Sequence, residues 1–181
     1  MVRKLKYHEK KLLKKVDFIT WKVDNEGKEN AVLRRYHIRK RDDYTKYNKL
    51  SRHIRELAEK IAKLEKHDQF KSDASFMLLE KLYGMGLVNE KHDLEVASKV
   101  SASCFCRRRL PVVMVKNKLS QNIKNATDLI EAGHVRVGTE MVKDPAFLVS
   151  RNLEDFVTWV DGSKIKEHVL SYNDLRDDFQ L

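Results

Sequence analysis

The sequence has little cysteine, proline and glycine, and it contains no long apolar run. Its two cysteines, Cys104 and Cys106, are two residues apart, so they cannot build a disulfide framework and they suit a reducing compartment. Two prolines and six glycines among 181 residues are too few for a low-complexity chain. No segment approaches the roughly 20 apolar residues of a membrane span, and no apolar region follows the basic residues 1–6 as in a secretory signal. We therefore expect a folded, soluble, intracellular protein.

Positive charge is abundant instead. The chain has 37 Lys+Arg against 27 Asp+Glu, which gives a formal net charge of +10. The excess is segregated, because residues 1–66 hold 21 basic and 10 acidic side chains and residues 107–151 hold nine and four. Residues 67–106 and 152–181 are mildly acidic. Separate basic blocks favour a polyanionic or acidic partner, whereas a solvated lysine-rich face without a ligand is the plainer alternative.

Composition along the chain predicts four segments. These are a basic arm and loop over 1–42, a helical region over 43–106, a small domain over 107–160, and a C-terminal helix with an acidic tail over 161–181. In the arm, apolar side chains such as Phe18, Ile19 and Trp21 alternate with lysines, so we expect them to dock on the protein's own body or on a partner. Residues 23–31 are expected to form a loop.

Apolar spacing predicts two helices in the middle of the chain. The first covers 43–66, where apolar residues recur at intervals of 4, 3, 4 and 3 (Leu50, Ile54, Leu57, Ile61, Leu64). This stripe is expected to face the core, and a partner-docking seam is the alternative. The second helix covers 73–83, capped by Ser72 or Asp73 and stopped by Gly84 or Gly86. Its packing face is expected to comprise Phe76, Leu79, Leu82 and Tyr83.

Residues 107–160 have the pattern of two helices followed by short strands. Pro111 suits the first turn of one helix, Asn122 can cap the next, and Gly133 can end it. Alternation over 134–137 predicts a strand, and Gly138-Thr139 predicts a turn. Further strand-like runs occur at 147–149 and 156–159, and a final helix is expected to begin near Ser163. The predicted fold class is α+β: an N-terminal helical extension, then two helices packed on a short-stranded sheet.

This small domain resembles the RNA-binding domain named after small-subunit ribosomal protein four. The resemblance is carried by Arg108-Arg109-Leu110, by 129–137, and by Val142-Lys143-Asp144-Pro145. It implies that basic groups on the first helix and on the strand after Gly133 share one surface and contact phosphates. The candidate RNA-binding residues are Arg107, Arg108, Arg109, Lys116, Lys118, Lys124, His134 and Arg136. Lys118 stands where this domain usually has a glycine, and His134 either donates to a phosphate or completes the packing.

Nearly the whole chain is similar to one nucleolar family, a small nucleolar ribonucleoprotein protein of the small-subunit processome. Matching stretches include 1–6, 11–18, 43–48, 79–83, 106–111, 133–138, 144–148, 154–161 and 163–166. The resemblance implies a non-enzymatic protein of the nucleus and nucleolus that binds U-three (U3) snoRNA and pre-ribosomal RNA. It also implies that the protein promotes their base-pairing during 18S rRNA maturation. The implied protein partners are an acidic M-phase phosphoprotein-type subunit and other processome proteins.

Other function classes are less favoured by the sequence. It has no glycine-rich phosphate loop, no nucleophile elbow and no zinc spacing, because the Cys104–Cys106 pair has no second pair. We therefore expect no catalytic residues, no cofactor and no metal. Two alternatives stay open: a small-subunit ribosomal protein, or a purely protein-docking scaffold subunit of a ribonucleoprotein.

Overall fold

The computed structural model describes residues 3–15, 28–65 and 67–175. The chain divides into two compact units, Met1–Arg35 and Tyr36–Leu181. The predicted docking residues Phe18, Ile19 and Trp21 lie outside the described residues.

The N-terminal unit contains two short helices, α1 (Tyr7–Lys15) and α2 (Lys28–Arg35). Glu9 fixes the start of α1, because its carboxylate accepts a hydrogen bond from the Lys6 backbone N–H (2.8 Å) and pairs with Arg3 (2.6 Å). The loop expected over 23–31 is wrong for residues 28–31, which belong to α2.

Four helices form the middle of the larger unit. They are α3 (Arg41–Ala62), α4 (Gln69–Gly84), α5 (Leu94–Ser98) and α6 (Ala102–Arg107). In their shared core, the ring of Tyr47 stacks on that of Phe105, with 5.6 Å between centroids and 4° between planes. The long helix predicted over 43–66 is present as α3, which begins at Arg41 and ends at Ala62.

The buried face of α3 differs from the predicted stripe. Its buried residues are Tyr47, Ser51, Ala58 and Ile61. Leu50 and Leu57 are 45% and 46% exposed, so two of the five residues of the predicted stripe face outward. The stack with Phe105 accounts for the face of α3 that is buried, because it places the Tyr47 ring rather than the leucines against α6.

Helix α4 begins four residues before its predicted start. Its N-cap is Asp68, whose Oδ1 accepts a hydrogen bond from the Phe70 N–H (3.0 Å), so the capping predicted for Ser72 or Asp73 is wrong. The helix ends at Gly84, and Gly86 follows with a left-handed φ of 73°. Leu79 and Leu82 are buried as predicted, but Phe76 is 62% exposed.

The C-terminal part is the predicted α+β unit, which confirms the fold class. It comprises α7 (Leu110–Lys116), α8 (Ile123–Glu131), β1 (Val135–Val137), β2 (Glu140–Met141), a 3₁₀ helix (Arg151–Phe156), β3 (Val157–Trp159) and α9 (Lys164–Tyr172). The strands form an antiparallel sheet in the order β2-β1-β3. Helices α7 and α8 pack on one face of this sheet. The core between them comprises Leu110, Val113, Met114, Ala126, Ile130, Val135, Val137, Val149 and Val157.

Several local predictions for this part hold and two do not. Pro111 lies in the first turn of α7, Gly133 has a left-handed φ of 80°, and Ser163 caps α9 through a hydrogen bond from the Ile165 N–H (3.3 Å). Asn122 occupies the N-cap position of α8, but its side chain accepts no capping hydrogen bond. The run 147–149 is not a strand of the sheet. It pairs instead with residues 108–110, where the Leu110 N–H donates to the Phe147 carbonyl at 2.9 Å.

Two arginines connect the helical region to the α+β part. Arg39 pairs with Glu131 at 2.7 Å and with Asp128 at 2.9 Å. Arg151 lies over the Tyr83 ring at 4.1 Å and donates to the Val88 carbonyl at 2.9 Å. Among the described helices, none is long and apolar enough to span a membrane.

Candidate nucleic-acid interface

Arg108, the first of the resemblance motif, lies inside the protein. It is 9% exposed, its Nε donates to the Val149 carbonyl (2.9 Å), and its Nη1 pairs with Glu154 (2.8 Å). The guanidinium lies against Gly86, where a Cβ would come within 2.8 Å of Cζ and Nε. Arg108 therefore anchors the 3₁₀ helix and the turn after α4.

Arg109 is also buried, at 4% exposure. Its Nη1 donates to the Tyr47 hydroxyl (3.1 Å) and lies 3.3 Å from Asp43 Oδ2, so it ties the start of α7 to α3. Burial raises the pKa of Tyr47, although the Arg109 charge acts in the opposite direction. The hydroxyl thus stays neutral and completes the pairing of a buried cation.

The predicted location of these two guanidinium groups on the domain surface is wrong. Each ion-pair partner lies far along the chain, 46 residues from Arg108 and 66 from Arg109. A buried cation needs such a partner, and these pairs remove both side chains from the surface that RNA can reach. We assign Arg108 and Arg109 to positioning the domain.

Lys116 and Asn117 meet the same 3₁₀ helix at the C-terminal end of α7. The Lys116 ammonium pairs with Glu154, and the Asn117 side chain donates to the Glu154 carbonyl at 3.1 Å. The hydrogen bond from Lys116, followed by that from Arg108, lowers the pKa of Glu154. One carboxylate therefore serves two cations, which leaves a net positive charge on a surface where Lys116 is 68% exposed.

Arg136 lies at the centre of the sheet but on its other face. Because Val135 and Val137 enter the core, alternation turns Arg136 away from α7 and α8. It pairs with Asp161 at 2.6 Å, and Lys166 of α9 pairs with the same carboxylate at 2.7 Å. The hydrogen bond from Lys166, together with the nearby Arg136, lowers the pKa of Asp161. The surface that Arg136 was expected to share with the first helix is thus divided between two faces.

Lys118 and Lys124 lie in and just after the loop between α7 and α8. Both are exposed, and within the described ranges neither has a carboxylate within ion-pair distance. Lys118 has a left-handed φ of 60°, the conformation for which a glycine is ordinarily used. The sequence departure at this position therefore places a cation at the tip of the loop, with a cost in backbone strain.

The two remaining candidates, Arg107 and His134, contact a thiol and a hydroxyl rather than carboxylates. Arg107 is exposed at the end of α6, and its Nη2 lies 3.2 Å from the Cys104 sulfur. Burial raises the pKa of that thiol, but hydrogen bonds from Ser101 and Arg107 outweigh the effect and lower it overall. The His134 ring is half-buried, with Nδ1 3.0 Å from the Ser163 hydroxyl, which leaves Nε2 for any phosphate.

The partners of these cations were not expected from the sequence. Glu154, Asp161 and Lys166 were noted only as members of the matching stretches 154–161 and 163–166, and nothing in their local spacing links them to Arg108 or Arg136. Asp43 was singled out only as part of the matching stretch 43–48. Its contact with Arg109 shows why a carboxylate is present there.

Comparison with known proteins agrees with this architecture. The family described as the ribosomal protein S4/S9 N-terminal domain matches residues 4–104, and the S4 domain matches residues 108–155. A Homo sapiens protein called U3 small nucleolar ribonucleoprotein protein IMP3 is 57% identical over 100% of this chain and 99% of its own. The Saccharomyces cerevisiae protein of that name is 51% identical over 100% of both chains. The small ribosomal subunit protein uS4 of Hyperthermus butylicus is 27% identical over 79% of this chain and 80% of its own.

Proposed function

Because the chain belongs to the family of U3 small nucleolar ribonucleoprotein protein IMP3, we propose that it is a non-enzymatic RNA-binding subunit of the small-subunit processome in the nucleolus. In this proposal it binds U3 snoRNA and pre-ribosomal RNA and promotes their base-pairing during 18S rRNA maturation. The observation that carries the RNA part is that Lys118 and Lys124 are exposed and have no carboxylate partner among the described residues. In the same S4 domain Arg108, Arg109 and Arg136 are each paired with a carboxylate.

We propose that direct phosphate contacts come from the members of the candidate set that are exposed or half-buried. These are Arg107, Lys116, Lys118, Lys124, His134 and Arg136. Lys118 and Lys124 offer charge at no cost in broken ion pairs, whereas Lys116 and Arg136 must share or exchange a carboxylate. Arg108 and Arg109 act indirectly, by fixing α7 against α3 and the 3₁₀ helix.

The proposed mechanism is annealing without covalent chemistry. Two RNA strands repel each other, and a folded cationic surface that contacts both lowers the repulsion and raises their encounter rate. Recognition then depends on RNA shape and backbone rather than on a base code.

The proposed protein partners are an acidic M-phase phosphoprotein-type subunit and other processome proteins. The basic excess outside the S4 domain supports an acidic partner, since residues 1–66 carry 21 Lys/Arg and 10 Asp/Glu. The family membership supports assembly into a ribonucleoprotein.

A pairing assay tests the proposal. Two labelled RNAs, the 5′ segment of U3 and its complementary pre-rRNA strand, are mixed with the full chain, and their pairing rate is followed by fluorescence transfer. We expect acceleration by the wild type and a loss of about tenfold for Lys118→Glu with Lys124→Glu, because four units of charge change on the contact surface.

The control is Lys91→Glu with Lys99→Glu, which makes the same change in net charge outside the S4 domain and should leave the rate nearly intact. A pure docking scaffold would give no acceleration by the wild type. Equal effects of the two double variants would show that total charge, rather than this site, governs pairing.

A further inference from the structure

An open groove lies between the C-terminal half of α3 and the length of α4. It has a volume of about 460 Å³ and is lined by Leu57, Lys60, Ile61, Leu64, Phe70, Ala74, Met77, Leu78 and Lys81. The Lys71 ammonium holds the two helices together, because it donates to the carbonyls of Ala62 (3.0 Å) and Leu64 (2.8 Å) at the end of α3. The groove is thus a fixed feature of the helix pair.

The apolar walls of this groove face outward. Phe70 is 64% exposed, Met77 is 63% exposed and Leu57 is 46% exposed. On α4 the lining residues recur every three or four positions, so they form one stripe along the helix. A contiguous exposed apolar stripe of this kind is typical of a surface that another protein covers.

The outward face of α3 alternates basic and apolar residues beside the groove. Lys46, Leu50, His53, Leu57 and Lys60 follow one another at spacings of 4, 3, 4 and 3, which places them on one side of the helix, and Leu64 follows just after its end. All charged residues that line the groove itself, Lys60 and Lys81, are positive. The surface therefore complements a partner that presents both apolar and acidic side chains.

The dimensions fit one helix. From Phe70 to Lys81 the stripe on α4 covers 11 residue steps, or roughly 16 Å at 1.5 Å per residue, which matches about three turns of a partner helix. Most lining side chains are aliphatic, whereas surfaces that hold single-stranded RNA stack bases on aromatic rings. A second copy of this chain fits poorly, because its own net charge is +10.

We propose that this groove binds an acidic amphipathic helix of a partner protein. Apolar residues at i, i+4, i+7 and i+11 of that helix enter between Leu57 and Met77, and its carboxylates meet Lys60 and Lys81. This inference deepens the protein-partner part of the proposed function, and it is independent of the RNA-binding part.

The test uses the full chain and a labelled 14-residue peptide with leucine at i, i+4, i+7 and i+11 and glutamate at most other positions. A scrambled peptide and a peptide with lysine in place of glutamate are the controls, and binding is followed by fluorescence anisotropy. We expect the acidic peptide to bind at least about tenfold more tightly than either control. Only this peptide presents leucines to the apolar stripe and carboxylates to Lys60 and Lys81.

Variants locate the binding to the groove. Met77→Glu should weaken the acidic peptide about tenfold or more, since it places a carboxylate among the apolar contacts. Phe76→Glu is the matched control, because Phe76 is adjacent, 62% exposed and not part of the groove, and it should leave binding unchanged. Lys60→Glu with Lys81→Glu should reverse the preference in favour of the lysine peptide.

Each contrary outcome overturns the proposal in a distinguishable way. Equal binding of all three peptides, or equal effects of Met77→Glu and Phe76→Glu, removes the groove as the binding site. If Met77→Glu weakens U3 RNA binding instead, the groove is an RNA site, and if it abolishes a dimer in sedimentation, the occupant is a second copy. The Lys118→Glu, Lys124→Glu variant should bind the acidic peptide as tightly as the wild type. Peptide binding in the groove can then be judged separately from the RNA proposal.

Discussion

Three consecutive arginines take two different roles in this protein. Arg107 is exposed, whereas Arg108 and Arg109 are buried in ion pairs that connect α7 to the 3₁₀ helix and to α3. The sequence predicted all three as surface cations, because it shows neither the direction of a side chain nor a partner 46 or 66 residues away. Burial of a paired guanidinium restricts the fold, so we propose that these two arginines affect RNA binding only through the geometry they impose.

The Arg108–Glu154 pair should be important for stability. We expect Glu154→Gln to lower the free energy of unfolding by about 3 kcal/mol, because it leaves the buried Arg108 guanidinium without its counter-charge. Urea denaturation monitored by circular dichroism measures this change. Asp161→Asn is the control, since Asp161 is 63% exposed and its pairs should contribute less than about 1 kcal/mol. Equal small losses for both variants would mean that Arg108 finds another partner.

The same carboxylate should make stability depend on acid pH. The pKa of Glu154 is lower in the folded protein than its ordinary value of 4.5, chiefly because of the hydrogen bond from Lys116. The folded state therefore holds fewer protons, so this contribution is complete above pH 4.5 and is lost as the pH falls through the folded pKa. Stability curves for the wild type and Glu154→Gln should converge toward acid pH. Parallel curves would exclude this carboxylate as the cause.

For the helices and strands, local sequence patterns predicted whether an element forms better than they predicted which of its faces is buried. The cap at Ser163, the proline in α7 and the alternation over 134–137 act within a few residues, and the structure has the expected helix or strand at each. The face of α3 depends on the Tyr47–Phe105 stack, which joins residues 58 positions apart. Periodicity alone favoured the leucines, whereas the core took Tyr47, Ser51 and Ala58, and this left Leu50 and Leu57 for the outer surface.

The loop between α7 and α8 offers a test in which stability and RNA binding change in opposite directions. Lys118 holds a left-handed φ of 60°. Lys118→Gly should raise the free energy of unfolding by about 0.5 kcal/mol, because relief of roughly 1 kcal/mol of strain exceeds the entropy that glycine adds to the unfolded chain. RNA affinity should fall severalfold, since one phosphate contact is lost.

Lys118→Ala is the matched variant for that test. It removes the same charge without relieving the backbone, so its RNA affinity should equal that of the glycine variant and its stability should be lower. Thermal unfolding and filter binding give the two quantities. If the glycine and alanine variants are equally stable, the strain assigned to this loop is absent. If both retain wild-type affinity, Lys118 does not contact RNA.

At the scale of the whole molecule, the charge excess is divided among different tasks. Part of the basic charge of residues 107–151 is neutralised internally by Glu154, Asp43 and Asp161. Among the described residues, the cations of this block without a carboxylate partner include the exposed Arg107, Lys118, Lys124 and Lys143. The larger excess of basic residues in 1–66 includes Lys60, which lines the groove between α3 and α4. Net charge predicted a polyanionic or acidic partner, but it could not separate the structural cations from those that we propose to face RNA or protein.

Salt dependence should report the number of RNA-facing cations. With one contact from each lysine and arginine of the proposed set, namely Arg107, Lys116, Lys118, Lys124 and Arg136, log affinity should fall against log salt with a slope of about −4, at −0.7 to −0.9 per contact. Lys118→Ala with Lys124→Ala should reduce the slope by about 1.5. A wild-type slope near zero would contradict electrostatic binding, and an unchanged slope in the variant would place the contacts elsewhere.

Crosslinking shows whether the exposed cations of the S4 domain contact RNA. Purified full-length protein is bound to U3 snoRNA and to 5′ pre-rRNA, irradiated, digested, and its crosslinked peptides are identified by mass spectrometry. We predict that both RNAs crosslink to peptides that contain Lys118 and Lys124, and that neither crosslinks to the groove at Met77. Crosslinks confined to residues 1–106 with either RNA would contradict the account.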